Sequence, residues 1–144
     1  MLVPMRLSRI LLSEIADQQV VFLTEVDGDR SFPIIIGRFE AACIERRFKG
    51  EQPIRPLTHD LLLSTIEELG WRIDKVVIDD LVDHTYHGKL VVRGDANGSA
   101  GGSGGDSPAS KQIDCRSSDA IAVAMYVDPK QPIFVEDWIL DAVA

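Results

Sequence analysis

The apolar residues of the chain recur with the two periods that mark secondary structure. Alternation with polar residues, or a short β-branched run, predicts a strand, whereas an apolar residue every three or four positions predicts a helix. The predicted strands cover residues 5–12, 18–26, 31–37, 71–81, 85–93, 111–115 and 132–135. The predicted helices cover residues 38–48, 58–69, 117–127 and 136–143.

Glycine and proline residues indicate where several of these helices and strands begin or end. Asp27, Gly28 and Asp29 predict a hairpin turn, because glycine tolerates positive φ. Pro33 has no N–H to donate and is expected near the start of its strand or on an edge strand. Gly70 is a natural residue for the C-terminal end of the second helix.

The first and third predicted helices differ in how much of their surface is apolar. In the first helix, Ala41, Ile44 and Phe48 share one face. The third helix is apolar almost all round, so we expect it to be buried on most sides. Ser117 or Ser118 is expected to be its N-cap.

The second predicted helix carries an apolar stripe and a polar start. Leu62, Ile66 and Leu69 form a stripe that we expect to be buried. Thr58 fits the N-cap position, where its hydroxyl would accept a backbone N–H. His59 follows at once. A protonated histidine opposes the dipole at a helix start, so stability alone gives little reason for its position.

Together these elements indicate one α+β domain over residues 1–144, a mixed or antiparallel sheet with helices packed on it. The segments "IIIGRFEAACI" and "IDCRSSDAIAV" both run from a strand through an arginine and an acid into an apolar helix. This echo indicates a duplicated strand–strand–helix unit. Residues 94–110 are rich in Gly and Ser, and we expect them to form a flexible loop inside the domain.

Composition narrows the class of protein. Hydrophobic residues make up 45% and charged residues 26%, as in ordinary globular domains. No apolar run reaches the roughly 18 residues that a membrane helix needs. No cleavable leader pattern is present, so we expect a cytoplasmic protein in which Cys43 and Cys115 are reduced. The formal net charge of −8 argues against a protein that coats nucleic acid by bulk electrostatics.

Polar side chains that suit chemistry gather where strands give way to helices. They are Glu40 after the third strand, Arg55, His59 and Asp60 at the second helix, and Asp114, Arg116, Ser118 and Asp119 around the start of the third helix. Helix N-termini suit anions such as phosphate, and carboxylates there can hold a divalent metal. We expect these helix starts to converge in space, where they would offer the parts for phosphodiester hydrolysis.

Each of these residues also has a purely structural interpretation. Asp60 and Asp119 lie in the first turn of a helix, where an acid is stabilising by roughly 0.3–1 kcal/mol. Ser118 can be a cap, and Arg116 can pair with Asp114 or Asp119. None of the residues forms a specific catalytic motif.

Three longer blocks and a short one carry a resemblance to a known family. "FPIIIGRFEAACI", "RPLTHDLLLSTIEELGW" and "IDCRSSDAIAVAM", followed by "PIFV", resemble the bifunctional nuclease domain family from about Leu7 to Ile139. In the third long block Ser117 replaces the proline that is usual in the family and Val123 the leucine. Both changes keep a helix start and an apolar face. The 94–110 loop is longer and richer in glycine than the family leads us to expect.

The resemblance implies hydrolysis of both DNA and RNA by a compact α+β protein that self-associates, as a homodimer or a larger homo-oligomer. The matching polar positions are Glu40, Arg55, His59, Asp60, Arg116, Ser118 and Asp119. On this hypothesis the catalytic residues are His59, Asp60, Asp119 and Glu40. The phosphate-binding residues are Arg55, Arg116 and Ser118. The ligands of a divalent metal, Mg²⁺ or Mn²⁺, are Asp60, Asp114 and Asp119.

A second hypothesis keeps the fold without catalysis. Here the domain is a dimeric adaptor or regulatory module that binds a protein partner or a small ligand, and Arg116–Asp119 and Arg55–Asp60 are structural ion pairs. The net charge of −8 favours it. So does the lack of aromatic residues interleaved with basic ones along the sequence, a pattern that single-strand binders use.

Overall fold

The computed structural model describes residues 1–13, 15, 18–51, 58–94, 109–128 and 131–144. Arg55 and residues 95–108 of the predicted flexible loop lie outside this described part. The strands are β1 (Leu2–Leu11), β2 (Gln19–Glu25), β3 (Ser31–Ile36), β4 (Trp71–Val82), β5 (Thr85–Gly94), β6 (Ser110–Arg116) and β7 (Ile133–Glu136). The helices are α1 (Arg38–Phe48), α2 (Thr58–Glu68), α3 (Ser117–Val127) and α4 (Asp137–Val143). The expected α+β class is confirmed.

The described strands form one sheet in the order β3-β2-β1-β7-β4-β5-β6. Neighbouring strands are antiparallel except β4 and β7, which are parallel. β1–β2–β3 is a meander that leads into α1, and β4–β5–β6 is a second meander that leads into α3. The duplicated unit that the sequence indicates is therefore visible in the topology, with three strands in each copy. β7 joins the two copies because it pairs with both β1 and β4.

The sheet curls until β3, at one edge, approaches β5, the neighbour of the other edge strand. The ring of Phe32 on β3 lies 5.5 Å from the ring of Tyr86 on β5, centroid to centroid. Four strands separate β3 from β5 in the sheet, so only strong curvature allows this contact. Register shifts interrupt both β1 and β4, and such bulges increase the local twist.

The central helix α3 lies within the concave side of this sheet. Nine of its eleven residues are buried, as its apolar composition predicts. It packs against α1, α2, β4 and β5. Inward-facing strand residues such as Ile34 and Ile78 complete a single core with it. Within the described residues, no helix combines the length and the apolar character that crossing a bilayer requires.

Edge and turn residues follow their backbone chemistry. Pro33 lies on β3, an edge strand, as predicted. Gly70 follows α2 with a φ of +86°, the left-handed conformation that favours glycine after a helix. Asp83 and His84 form the turn between β4 and β5, with φ values of 51° and 65°. A two-residue hairpin turn with both residues left-handed matches the twist of its strands.

One prediction about a helix surface is wrong. The leucine stripe of α2 is not buried, because Leu62 is 39% exposed and Leu69 is 65% exposed. The residue that α2 buries is His59. On α1, Ala41 and Ile44 are buried, and Phe48, which shares their face, is 46% exposed. The sequence period identifies an apolar face correctly in both helices, but it does not say whether another element covers that face.

The predicted serine N-cap of α3 is also wrong. β6 continues to Arg116, which is itself the N-cap residue and makes no side-chain cap hydrogen bond. The helix therefore begins at Ser117, and Ser117 and Ser118 both lie inside its first turn, where they are buried.

Candidate functional site

The starts of α1, α2 and α3 lie together at one place in the molecule. α1 follows β3 and α3 follows β6, and the curl that brings β3 close to β5, the neighbour of β6, also brings the two helix starts together. Glu40 of α1 lies 3.1 Å from Arg116, Oε1 to Nη1. His59 of α2 lies 3.5 Å from Asp119 of α3, Nε2 to Oδ1. We name Glu40, His59, Arg116 and Asp119 the helix-start cluster.

Arg116 holds both carboxylates of the cluster. Its Nε donates to Asp119 Oδ2 at 2.9 Å and its Nη2 donates to Asp119 Oδ1 at 3.0 Å, which makes a bidentate pair. Burial acts to raise the pKa of the Asp119 carboxyl, but the hydrogen bonds and charge of Arg116, together with His59, outweigh burial and the net pKa is lowered. The bond to Asp119, followed by its charge, raises the pKa of Arg116.

Part of the Arg116 guanidinium remains available. A guanidinium has five N–H donors, and three of its nitrogens face carboxylates, one contact each, which leaves 5 − 3 = 2 donors. The side chain is 67% exposed. Two N–H groups on an exposed cation suit an anion such as phosphate.

Glu40 is held by the start of its own helix. A Cβ added to Gly37, the N-cap residue of α1, would collide with the Glu40 carboxylate. The Glu40 side chain therefore folds back over the N-cap, as an acid at the third helical position does in a capping box. This position fixes the carboxylate that faces Arg116.

His59 is buried between two side chains of α3. It is 9% exposed, and its ring stacks on Tyr126 with the centroids 5.7 Å apart and an interplanar angle of 21°. Nε2 faces Asp119, at the long limit of a hydrogen bond. Nδ1 is buried and makes no hydrogen bond to any described residue. A buried polar atom without a hydrogen-bond partner costs roughly 1–3 kcal/mol.

Tyr126 and Arg47 extend the cluster, and the sequence pattern did not single them out. Arg47 Nη2 donates to the Tyr126 carbonyl at 3.0 Å, and its guanidinium carbon lies 5.0 Å from the Tyr126 ring centroid. Burial, followed by the charges of Cys43 and Asp60, raises the pKa of Tyr126. A signal was present: Tyr126 lies seven residues, about two turns, after Asp119 and therefore on the same helix face.

The other predicted site residues that the structure describes do not join the helix-start cluster. Asp114 accepts from Lys89 at 3.1 Å and so belongs to an ion pair between β6 and β5. Ser118 is buried, with 7% exposure. Asp60 is half-buried in the first turn of α2, on the side of Tyr126. Arg55 lies outside the described residues.

The donor set does not fit a metal ion in the arrangement seen. Nowhere in the described part of the chain do three His, Cys, Asp or Glu side chains come together as a metal ion requires. Both Asp119 oxygens and one Glu40 oxygen face Arg116, so a guanidinium occupies the place of a cation. Metal ligation by Asp60, Asp114 and Asp119 stays a prediction.

Comparison with known proteins identifies the family. A family model described as bifunctional nuclease domain matches residues 21–144. The chain belongs to the bifunctional nuclease domain family. Two relatives are uncharacterized proteins of Mycobacterium tuberculosis, MT1877 of strain CDC 1551 / Oshkosh and Rv1829 of strain ATCC 25618 / H37Rv. Each is 36% identical over 135 residues, which cover 94% of this chain and 72% of the relative. All residues of the helix-start cluster lie within the bifunctional nuclease domain.

Proposed function

We propose that this bifunctional nuclease domain hydrolyses phosphodiester bonds in DNA and RNA. The observation that carries the proposal is the helix-start cluster. It brings a cation, a buried histidine and two carboxylates from three helix starts together, and each of them lies within 3.5 Å of another member of the cluster. Membership of the family supports a nuclease-like activity, and the match includes the whole cluster. The buried position of His59, with Nε2 facing the Asp119 carboxylate, supports a role as a base that the carboxylate orients.

Each cluster residue has a role in this proposal. The two free N–H groups of Arg116 bind the non-bridging oxygens of the scissile phosphate and stabilise the charge that develops there. Asp119 orients His59 through Nε2. His59 accepts a proton from water as the water oxygen bonds to phosphorus. The phosphorus–oxygen bond to the leaving group then breaks, and that oxygen takes a proton from solvent. Because Nδ1 is covered, catalysis requires a movement that exposes it.

Cations and aromatic rings pair across the sheet, which supports nucleic-acid binding. The Arg9 guanidinium lies 5.1 Å from the Phe22 ring centroid, and the Lys75 ammonium lies 5.8 Å from that of Phe134. These residues are distant in sequence, so the fold interleaves basic and aromatic groups where the linear chain does not. Such groups bind single strands by charge and by stacking on bases.

The test is cleavage of single-stranded DNA and RNA by the purified protein with Mg²⁺ or Mn²⁺, and with EDTA. His59→Ala and Asp119→Ala are each expected to lower the cleavage rate by about 100-fold or more. His84→Asn is the matched control, because it changes a histidine in the exposed β4–β5 turn to a residue that tolerates left-handed backbone. Its rate should equal that of the unchanged protein.

Circular dichroism and thermal unfolding check that every variant is folded. Equal cleavage by the unchanged protein, His59→Ala and Asp119→Ala would remove the cluster from the mechanism, and no cleavage by any of them would refute the nuclease. The comparison with EDTA tests separately whether cleavage requires a divalent metal ion.

A non-catalytic adaptor is the second candidate, and the pairing of Arg116 with two carboxylates favours it. In that function Arg116 simply ties α1 to α3 through Glu40 and Asp119. The affinity for single-stranded nucleic acid, measured between 50 and 200 mM salt, separates the two candidates. For a nuclease that neutralises phosphates, each phosphate contact should lower the logarithm of the affinity by roughly 0.7 for every tenfold rise in salt concentration. For the adaptor, the affinity should not depend on salt in this way.

A further inference from the structure

The first meander, β1–β2–β3, exposes apolar side chains on its outer face, the face that points away from the core. Buried and exposed side chains alternate along β3, as they do in a strand with only one side against the core. Ile35 points outward and is 61% exposed. The register places Val20 of β2 beside it and then Leu11 of β1, which is 43% exposed. Neighbouring exposed apolar residues of this kind favour an interaction surface.

The same outer face is basic, although the chain as a whole carries a net charge of −8. Arg6 and Arg9 are exposed on β1, and the Arg9 guanidinium lies 5.1 Å from the ring centroid of Phe22 on β2. The structure describes every residue of these three strands, and the only acid among them is Glu25. Glu25 lies opposite the buried Met5 and therefore on the inner face. An outer face with cations and no carboxylate suits a polyanion.

An exposed aromatic ring continues this surface beside the helix-start cluster. Phe39 lies in the first turn of α1 and is 83% exposed. Its neighbour in the chain, Glu40, contacts Arg116 at 3.1 Å. Phenylalanine is usually buried, and α1 is held to the core by Ala41 and Ile44 instead. Phe39 therefore offers an open ring close to the proposed phosphate-binding cation. The outer strip is the name we give to Arg6, Arg9, Leu11, Phe22, Ile35 and Phe39.

The outer strip and the helix-start cluster lie within a few nucleotides of each other. Pro33, which pairs with Phe22, lies four residues before Gly37, the N-cap residue of α1, a span of about 13 Å. The Glu40 carboxylate of the cluster folds back over Gly37. At the duplex rise of about 3.4 Å per nucleotide, this span corresponds to about four nucleotides, and an extended strand needs fewer.

We propose that the outer strip binds the stretch of single-stranded DNA or RNA next to the scissile phosphate. A base stacks on Phe39, and phosphates contact Arg6 and Arg9. The inference rests on the proposed function in one respect, because it takes the scissile phosphate to be at Arg116. The bases of a single strand are free to stack on a side chain, whereas a duplex covers their faces. Cations beside open apolar and aromatic side chains therefore favour the single strand.

Fluorescence anisotropy with a labelled single strand of eight nucleotides, in EDTA and 50 mM salt, measures the affinity without requiring cleavage. A gel after each titration checks that the strand is intact. Phe39→Ala should raise the Kd at least about fivefold, the lower end of the effect of one stacked base. Phe39→Tyr keeps an aromatic ring and should bind as the unchanged protein does. Arg9→Ala should raise the Kd and reduce the slope of log Kd against log salt concentration by about 0.7.

Phe48→Ala is the matched control, because it removes a 46% exposed ring at the other end of the same helix. Its affinity should equal that of the unchanged protein. A duplex of the same sequence is the second control, and Phe39→Ala should not change the affinity for it. Circular dichroism checks that each variant is folded.

Two results would overturn the proposal. One is an unchanged protein that does not bind the single strand at 100 μM, and the other is a loss of affinity in Phe39→Ala no larger than in Phe48→Ala. The outer strip and the nuclease can fail separately. Cleavage by the unchanged protein with full affinity in Phe39→Ala would refute the strip alone. Weakened binding by Phe39→Ala, in a protein that cleaves nothing, would refute the nuclease and support the strip as a binding surface.

Discussion

Asp119 receives most of the electrostatic interaction within the helix-start cluster, and this makes the cluster sensitive to acid. Burial opposes ionisation, but Arg116 and His59 lower the net pKa of the Asp119 carboxyl below its unfolded value of about 4. A carboxyl with a depressed pKa stabilises the folded state at pH values above its unfolded pKa. It loses that contribution as the pH falls through the folded pKa.

We therefore expect Asp119→Asn to lower the free energy of unfolding at pH 7 and to matter less in acid. The loss at pH 7 should be about 1 kcal/mol, because Arg116 is largely exposed and solvent screens the pair. Urea unfolding at pH 7 and at pH 3 measures the difference. Asp114→Asn serves as the control, since that side chain is 77% exposed and should change stability by under about 0.5 kcal/mol at either pH. A loss from Asp119→Asn that is as large at pH 3 as at pH 7 would contradict the assignment.

Most individual residues of the candidate site could be predicted from the sequence, but the contacts between them could not. Glu40, His59 and Asp119 stand out because each lies at a helix start. Whether Arg116 pairs with Asp114 or Asp119 depends on the direction of its side chain after the last strand position. The structure pairs it with Asp119, while Asp114 turns to Lys89. That choice depends on strand register, which periodicity does not report.

At the scale of elements, the close approach of α3 to β5 sets the position of the cluster. Gly88 is buried on β5, and a Cβ added there would lie 3.1 Å from Ala120 Cβ and 3.3 Å from the Arg116 carbonyl oxygen. A glycine at this point lets the helix start lie directly on the strand. A larger residue would push away the turn that carries Arg116 and Asp119.

Gly88→Ala is accordingly expected to lower the free energy of unfolding by about 1–3 kcal/mol, the usual cost of overpacking. Equilibrium urea unfolding measures it. Gly88→Ala/Ala120→Gly removes the facing methyl group and should recover part of the loss, although glycine in a helix itself costs about 1 kcal/mol. If Gly88→Ala proves as stable as the unchanged protein, the helix has room to move and the contact does not position the cluster.

The positions of most helices and strands could be predicted from the sequence. Which of their apolar faces are packed against another element could not. Alternation and β-branched runs predict the strands because a half-buried strand repeats every two residues. On α2 the same reasoning finds Leu62 and Leu69 but assigns them to the core of the single chain. An apolar helix face is stabilised when other apolar groups pack against it, and these groups can come from the same chain or from a second molecule.

At the scale of the whole molecule, the last segment described completes the middle of the sheet. β7 lies between β1 and β4, and without it the two duplicated units share no strand pairing within the described residues. Val135 on β7 and Ile139 and Leu140 on α4 are fully buried in the common core. Arg30, after β2, also reaches Asp137 at 3.0 Å, which ties α4 to the first unit. The sequence echo shows that a unit is repeated but not which element joins the copies.

Deleting residues 132–144 should therefore abolish cooperative unfolding of the whole domain and not only of the last helix. The inner edges of β1 and β4 would lose their partner, and four fully buried apolar side chains (Ile133, Val135, Ile139 and Leu140) would leave the core, at about 1.5–3 kcal/mol each. That loss is comparable to the roughly 5–15 kcal/mol of total stability of such a domain. Amide dispersion in nuclear magnetic resonance and thermal unfolding measure the outcome.

Trp138→Ala is the control, because Trp138 is 47% exposed on the same helix and its truncation should leave a folded domain. A deletion variant that still unfolds cooperatively would show that one meander with its helix is stable alone, and that the molecule is two joined folding units and not one.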